Sequence, residues 1–194
     1  MENTESTPTK AMFNALSNLY KQGQLLLLDA DRIMGEHGWE TKTTTVFQGL
    51  SYSLNSPDKW YVRWAGRFYY PVKSQETEPL VQRIPFISVH FAADHDTKLD
   101  EPVASAGWLH YSNPMTVEQA QTSQQYWMCK YWFYGEPKGK SDEWRKTGQS
   151  KEQKNLKGTD TFAIPLYSIN SRDSLEKLVV EPLLSKFQAA SDNP

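Results

Sequence analysis

The chain has 194 residues, with 21 basic and 23 acidic side chains giving a formal charge of −2, a balance that argues against coating nucleic acid through bulk charge. Its mean hydropathy is −0.68 and its longest apolar run is Leu25-Leu26-Leu27-Leu28, far short of the roughly 20 residues a membrane-spanning helix needs. The single cysteine, Cys129, excludes an internal disulfide and a zinc site built from cysteines.

Residues Met1 to Thr7 read as a frayed tail without the basic start and apolar stretch of a secretory signal, so a cytoplasmic location is expected. A long helix follows. Thr7 can cap it with Pro8 in the first turn, and Met12, Leu16, Leu19, Tyr20, Leu26, Leu27, Ala30, Ile33 and Met34 form one stripe at three- and four-residue steps. Gly38 is placed as a left-handed stop. Gly23, inside the stripe, marks close packing or a bend. At about 1.5 Å per residue the helix is roughly 40 Å long, enough to lie across a whole sheet.

A strand series comes next. Thr43 to Ser53 is rich in β-branched and aromatic residues. Leu54 to Asp58 is a turn. Trp60 to Tyr70 is the most telling stretch. At period two Trp60, Val62, Trp64, Phe68 and Tyr70 share one face, while Tyr61, Arg63, Ala65, Arg67 and Tyr69 share the other. The first face reads as core. Arg83 to Ala93 is a further strand, whose Pro85 suggests an edge or a strand start. Val103 to Tyr111 is another. No helix-length crossover separates these strands, which suits an antiparallel meander. Asn113-Pro114 should break the chain before a short helix over Thr116 to Ser123. Gln125 to Tyr134 is dense in rings and reads as a strand, with Tyr126, Met128, Lys130, Trp132 and Tyr134 on one side.

Gly135 to Asp160 shifts in composition. Over Lys138 to Lys157 seven basic residues face Asp142, Glu143 and Glu152 for a net +4, and a mobile basic loop is expected at 135–160. A last strand runs from Thr161 to Ile169. A C-terminal helix starts near Ser171, with Leu175, Leu178, Val179, Leu183 and Phe187 on one stripe and Pro182 set to kink or split it.

The expected architecture is a single α+β domain over 1–194. A mostly antiparallel sheet of about five to seven strands is covered on one face by the long N-terminal helix and the C-terminal helical segment.

Four patterns bear on chemistry. Tyr61, Arg63, Arg67 and Tyr69, joined by Lys130 and Trp132 if the two strands are neighbours, form an aromatic and basic face. Rings and guanidinium groups of this kind suit a protein partner or self-association, a single-stranded nucleic acid, or a second packed layer with snorkelling Arg stems. His90, Asp94, His95 and Asp96 include metal-ligating types, but neighbouring residues of an extended turn diverge, and a solvated turn is the better account. Glu40 and Lys42, two apart, with a second carboxylate such as Asp58, supply the residue types a metal-dependent nuclease uses, at a spacing that chance produces often. Cys129 lies among rings that disfavour its thiolate. No nucleophile elbow, phosphate loop or dinucleotide fingerprint is present in the sequence.

These patterns favour a non-catalytic cytoplasmic binding or adaptor protein that uses the aromatic and basic face. No cofactor or metal is expected. The alternative is a nucleic-acid-associated protein, including a metal-dependent nuclease.

Overall fold

The computed structural model describes residues 7–41, 46–47, 61–72, 80–91, 101–122, 145–147 and 155–191. Helix α1 spans Thr7–Glu36. It ends as expected at Gly38, whose φ of +81° is the left-handed conformation glycine adopts without strain. The strands are β1 (Trp39–Glu40), β2 (Val46–Phe47), β3 (Trp64–Phe68), β4 (Tyr70–Pro71), β5 (Leu80–His90), β6 (Val103–Thr116), β7 (Arg145–Thr147) and β8 (Leu156–Pro165). Helix α2 (Val117–Thr122) follows β6. After β8 come a 3₁₀ turn (Leu166–Ser168), α3 (Arg172–Leu175), a π-helical turn (Glu176–Val180) and α4 (Glu181–Ser191).

The architecture is α+β, as the pattern predicts. The main sheet runs β2-β3-β5-β6-β8-β7, and β1 pairs with β4 in a separate ribbon. Every pairing is antiparallel. Among the described residues β3, β5, β6 and β8 are the strands of five residues or more. The sheet therefore rests on fewer substantial strands than expected, with short pieces at its edges.

Alternation sorts the strands onto two cores. On one face Ala65, Tyr69, Ile87, Val89, Ala104, Ala106, Trp108 and Phe162 pack against Leu26, Leu27, Ala30, Ile33 and Met34 of α1 and Leu175, Val179, Val180 and Leu183 of the C-terminal segment. On the other face Trp64, Phe68, Phe86, Ile84, Leu109 and Leu156 gather with Val117 and Ala120 of α2. Trp64 and Phe68 are thus core residues, as their alternation indicates; Trp60 lies outside the described residues.

Trp108 ties the first core together. Its ring meets Trp39 edge-on at 5.6 Å, and its indole N–H donates to the Leu183 carbonyl at 2.8 Å. Gly23 is the close-packing position its place in the stripe suggests: a Cβ there would lie 2.6 Å from Phe91 Cζ.

Four expectations are corrected. Pro85 is neither an edge nor a strand start but lies inside β5, opposite Trp108. Its carbonyl accepts the Tyr69 N–H at 3.0 Å, so its missing N–H also faces the Tyr69 side and the β6 ladder loses nothing. Asn113-Pro114 does not end the strand, because β6 bulges there and resumes pairing with β5 at Met115 and Thr116. The last strand begins at Leu156, inside the stretch expected to be a loop, and Arg145–Thr147 pairs with it. There Leu156, Gly158 and Thr159 are buried while Lys157 points out, so the lysine is the solvent face of a strand. Leu178 lies off the buried stripe at 38 % exposure. The π turn adds a residue to the helix just before Pro182, which lacks the N–H an α-turn would use.

Two caps follow the sequence. Thr116 Oγ1 accepts the Gln119 N–H at 3.2 Å while Gln119 Oε1 accepts the Thr116 N–H at 3.0 Å. Ser171 caps α3, with Ser174 completing the reciprocal pair.

Candidate functional site

The residues of the proposed aromatic and basic face part company in the structure. Tyr69 is 1 % exposed and Arg63 2 %. Tyr69 lies under α1, where its hydroxyl donates to Asp31 Oδ1 at 3.1 Å. The guanidinium of Arg67, half-buried, pairs with Asp31 Oδ2 at 3.3 Å. Burial raises the Asp31 carboxyl above the usual carboxylate range, although Arg67 and the Tyr69 hydroxyl both act to lower it. Burial, with the Asp31 charge second, pushes the Tyr69 phenol well up, which keeps it a donor. This triad is a clamp that fixes α1 to β3. Lys130 and Trp132 lie outside the described residues, as do Cys129, Lys42, Asp58, Asp94 and His95. Among the described members of the set Tyr61 is the most exposed, at 41 %.

Tyr61 stands where the sheet runs out beneath α1. The Tyr20 hydroxyl donates to the Val62 carbonyl at 2.9 Å, and its ring meets Phe91 edge-on at 4.8 Å. Burial raises the Tyr20 phenol, with Tyr61 as a second cause. Gly23 seats against Val89 and Phe91. Beyond these contacts residues 8–18 of the helix are exposed throughout. At about 1.5 Å per residue this overhang is roughly 16 Å long.

The overhang keeps the apolar pattern of the packed half. Met12 is 64 % exposed, Phe13 62 % and Leu16 38 %. Met12 and Leu16 continue the stripe that packs through Leu26, Ala30 and Met34, with Leu19 and Tyr20 half-buried between. A helix in water places such residues outward at a cost of about 25 cal/mol per Å² left unburied. Sequence reasoning found the stripe but placed all of it on the sheet. Periodicity reports which side of the helix is apolar, whereas burial of that side stops short of residue 18.

The described residues offer one polar cluster of a different kind. On the second sheet face His90 Nε2 lies 3.0 Å from Ser88 Oγ and 3.1 Å from Ser105 Oγ, and the two hydroxyls are 2.7 Å apart. His90 stacks on Trp64 with ring centroids 6.3 Å apart. All three polar residues are buried. Burial lowers the imidazole to about 3, so it is neutral and the hydroxyls satisfy it. Among the described residues this is a buried hydrogen-bonded network inside the second core. Among the described residues no group of three or more metal-ligating side chains converges, and no helix is long and apolar enough to cross a membrane.

No protein-family model, curated protein or solved structure matches the chain.

Proposed function

We propose that this is a non-catalytic cytoplasmic binding or adaptor protein that docks a partner chain on the overhang of α1, with Tyr61 at its base. The observation that carries this reading is the exposure of Met12 and Leu16 in line with a stripe that is otherwise buried or half-buried, with Phe13 exposed beside them. Helix recognition uses apolar anchors at steps of three, four and seven, and Met12, Leu16 and Leu19 supply that spacing. An exposed aromatic near them adds the residue type that dominates interface hot spots. The nucleic-acid alternative draws no support from Arg67, whose guanidinium is engaged with Asp31.

The test is recovery of partners from a lysate of the source organism with the wild-type chain and with Met12→Glu, Leu16→Glu as bait. Both positions are exposed, so the double variant should retain its thermal midpoint within the roughly 0.5 kcal/mol expected of surface changes. Loss of recovered chains with unchanged stability supports the reading. A folded variant that recovers the same chains as wild type refutes it.

A further inference from the structure

We propose that the partner seated on the overhang is a second copy of this chain, the two α1 segments packing antiparallel about a two-fold axis near Leu16. The inference rests on the docking surface described above and names its occupant.

Charge is the first argument. From Thr7 to Leu28 the helix carries Lys10 and Lys21 and no acidic residue. At 3.6 residues per turn both lysines fall on the side opposite Met12 and Leu16. The positions flanking the stripe are Thr9, Ala15, Ser17, Gln22 and Gln24, all uncharged. A strongly charged partner would find nothing to pair with at this rim. A membrane surface would find no basic residue at the edge of the apolar face, where interfacial helices place them. Two copies of the stripe, by contrast, meet without like charges in contact, because the lysines of each point away.

Self-complementarity is the second. An isologous contact requires each residue to meet its own symmetry mate's counterpart. With the axis at Leu16, Met12 of one copy lies beside Tyr20 of the other, a sulfur–ring contact that is favourable in itself. Leu16 then meets Leu16, and Phe13 meets Leu19. The steps of three and four are those of the shallow-angle packing that antiparallel helix pairs adopt. Ala15 at the flank lets the backbones approach. The partner helix would also lie against the end of the sheet at Tyr61 and Phe91.

Area sets the strength. At 64, 62 and 38 % exposure, Met12, Phe13 and Leu16 offer on the order of 300 Å² of apolar surface per copy. Doubled for two copies and extended by the flanking groups and Tyr61, the contact reaches the low end of specific interfaces, near ~1,200 Å² in total. A reversible rather than permanent dimer is expected of a contact this small.

Sedimentation velocity of the full chain from about 2 to about 300 μM tests this. The expected result is a concentration-dependent shift from monomer to dimer that Leu16→Glu abolishes by setting two carboxylates against each other at the axis. In a Cys129→Ser background, Leu16→Cys should form a disulfide-linked dimer under mild oxidation, and Lys10→Cys should not. A wild-type chain that stays monomeric throughout overturns the inference. So does a dimer indifferent to Leu16→Glu, or equal cross-linking from both cysteine positions. A monomer that co-sediments with phosphatidylserine vesicles reassigns the overhang to a lipid surface. A monomer whose recovery of other chains still depends on Met12 and Leu16 sinks the second-copy inference alone and leaves the docking surface standing.

Discussion

The His90 network predicts a specific acid sensitivity. An unfolded histidine titrates near 6.5, whereas His90 in the fold is held at about 3 by burial. The folded value is the lower one, so below pH 6.5 the unfolded chain binds the extra proton. Stability from this group is present above pH 6.5 and declines as pH falls toward 3. Between pH 7 and pH 5 the loss from His90 alone is about 2 kcal/mol, from a slope of about 1.4 kcal/mol per pH unit once the unfolded histidine is protonated. Other groups titrate in the same range, and the raised Asp31 carboxyl works in the opposite direction, since a folded carboxyl that holds its proton more tightly is favoured by acid. The measurement is therefore a difference. Urea melts of wild type and His90→Asn at pH 7 and pH 5 should show the variant less stable at pH 7, because Ser88 and Ser105 lose a partner. The variant should then lose about 2 kcal/mol less than wild type on acidification. Proton NMR gives a direct check, since one of the four histidine ring signals should fail to titrate down to about pH 4. Equal acid sensitivity in wild type and variant, or four rings titrating near 6.5, would refute the argument that this imidazole is dry and neutral.

Three further outcomes follow from the packing. Gly107→Ala should cost on the order of 3 kcal/mol in chemical melts, because its Cβ would run into the Asp160 carbonyl and the Thr161 side chain, and backbone cannot swing aside; a cost below about 0.5 kcal/mol would show that β6 and β8 are further apart. Tyr69→Phe should cost about 1–2 kcal/mol by taking a donor from Asp31, and the cost should shrink in an Asp31→Asn background, a coupling that a double-mutant cycle reads. Trp64→Ala should cost about 3–5 kcal/mol through a cavity in the second core, and an unchanged melting midpoint would show that Trp64 does not pack in that core.

How much of this was legible in the sequence depends on the range of the interaction. Local signals were sufficient for the Gly38 stop, the helix starts near Thr116 and Ser171 and the stripe of α1, because each is decided within a few residues. The alternation of β3 was legible for the same reason. What lies opposite each face was not. Arg67 and Tyr69 look like surface because their partner Asp31 is more than thirty residues away, and nothing local distinguishes it from Asp29, which pairs with Arg32 at the surface. Pro85 and Asn113-Pro114 misled through a general rule about proline that ignores which way the missing N–H faces and whether the strand bulges there. The overhang was misplaced because a helix's periodicity reports what it could bury, while the sheet decides how much of it is buried.

The sheet's two cores have a consequence for how its strands find their partners. Where one face meets water, a slip of one residue is rejected because it drives apolar groups into solvent. Here β5 from Ile84 to His90 and β6 from Val103 to Leu109 are buried on both sides, and a slip would exchange one interior for another with little change in hydrophobicity. Discrimination must come from volume and hydrogen bonding instead. The aligned row Gly66, Ser88, Ser105 and Ala163 is small across all four long strands, and a Cβ on Gly66 would come within 2.9 Å of Ser88 Cβ. A shifted β5 would set Ile87 or Val89 into that row and leave the Ser105 hydroxyl facing hydrocarbon. The polar network and the narrow row thus act together as a keyway, admitting one alignment of strands whose apolar character alone would accept several.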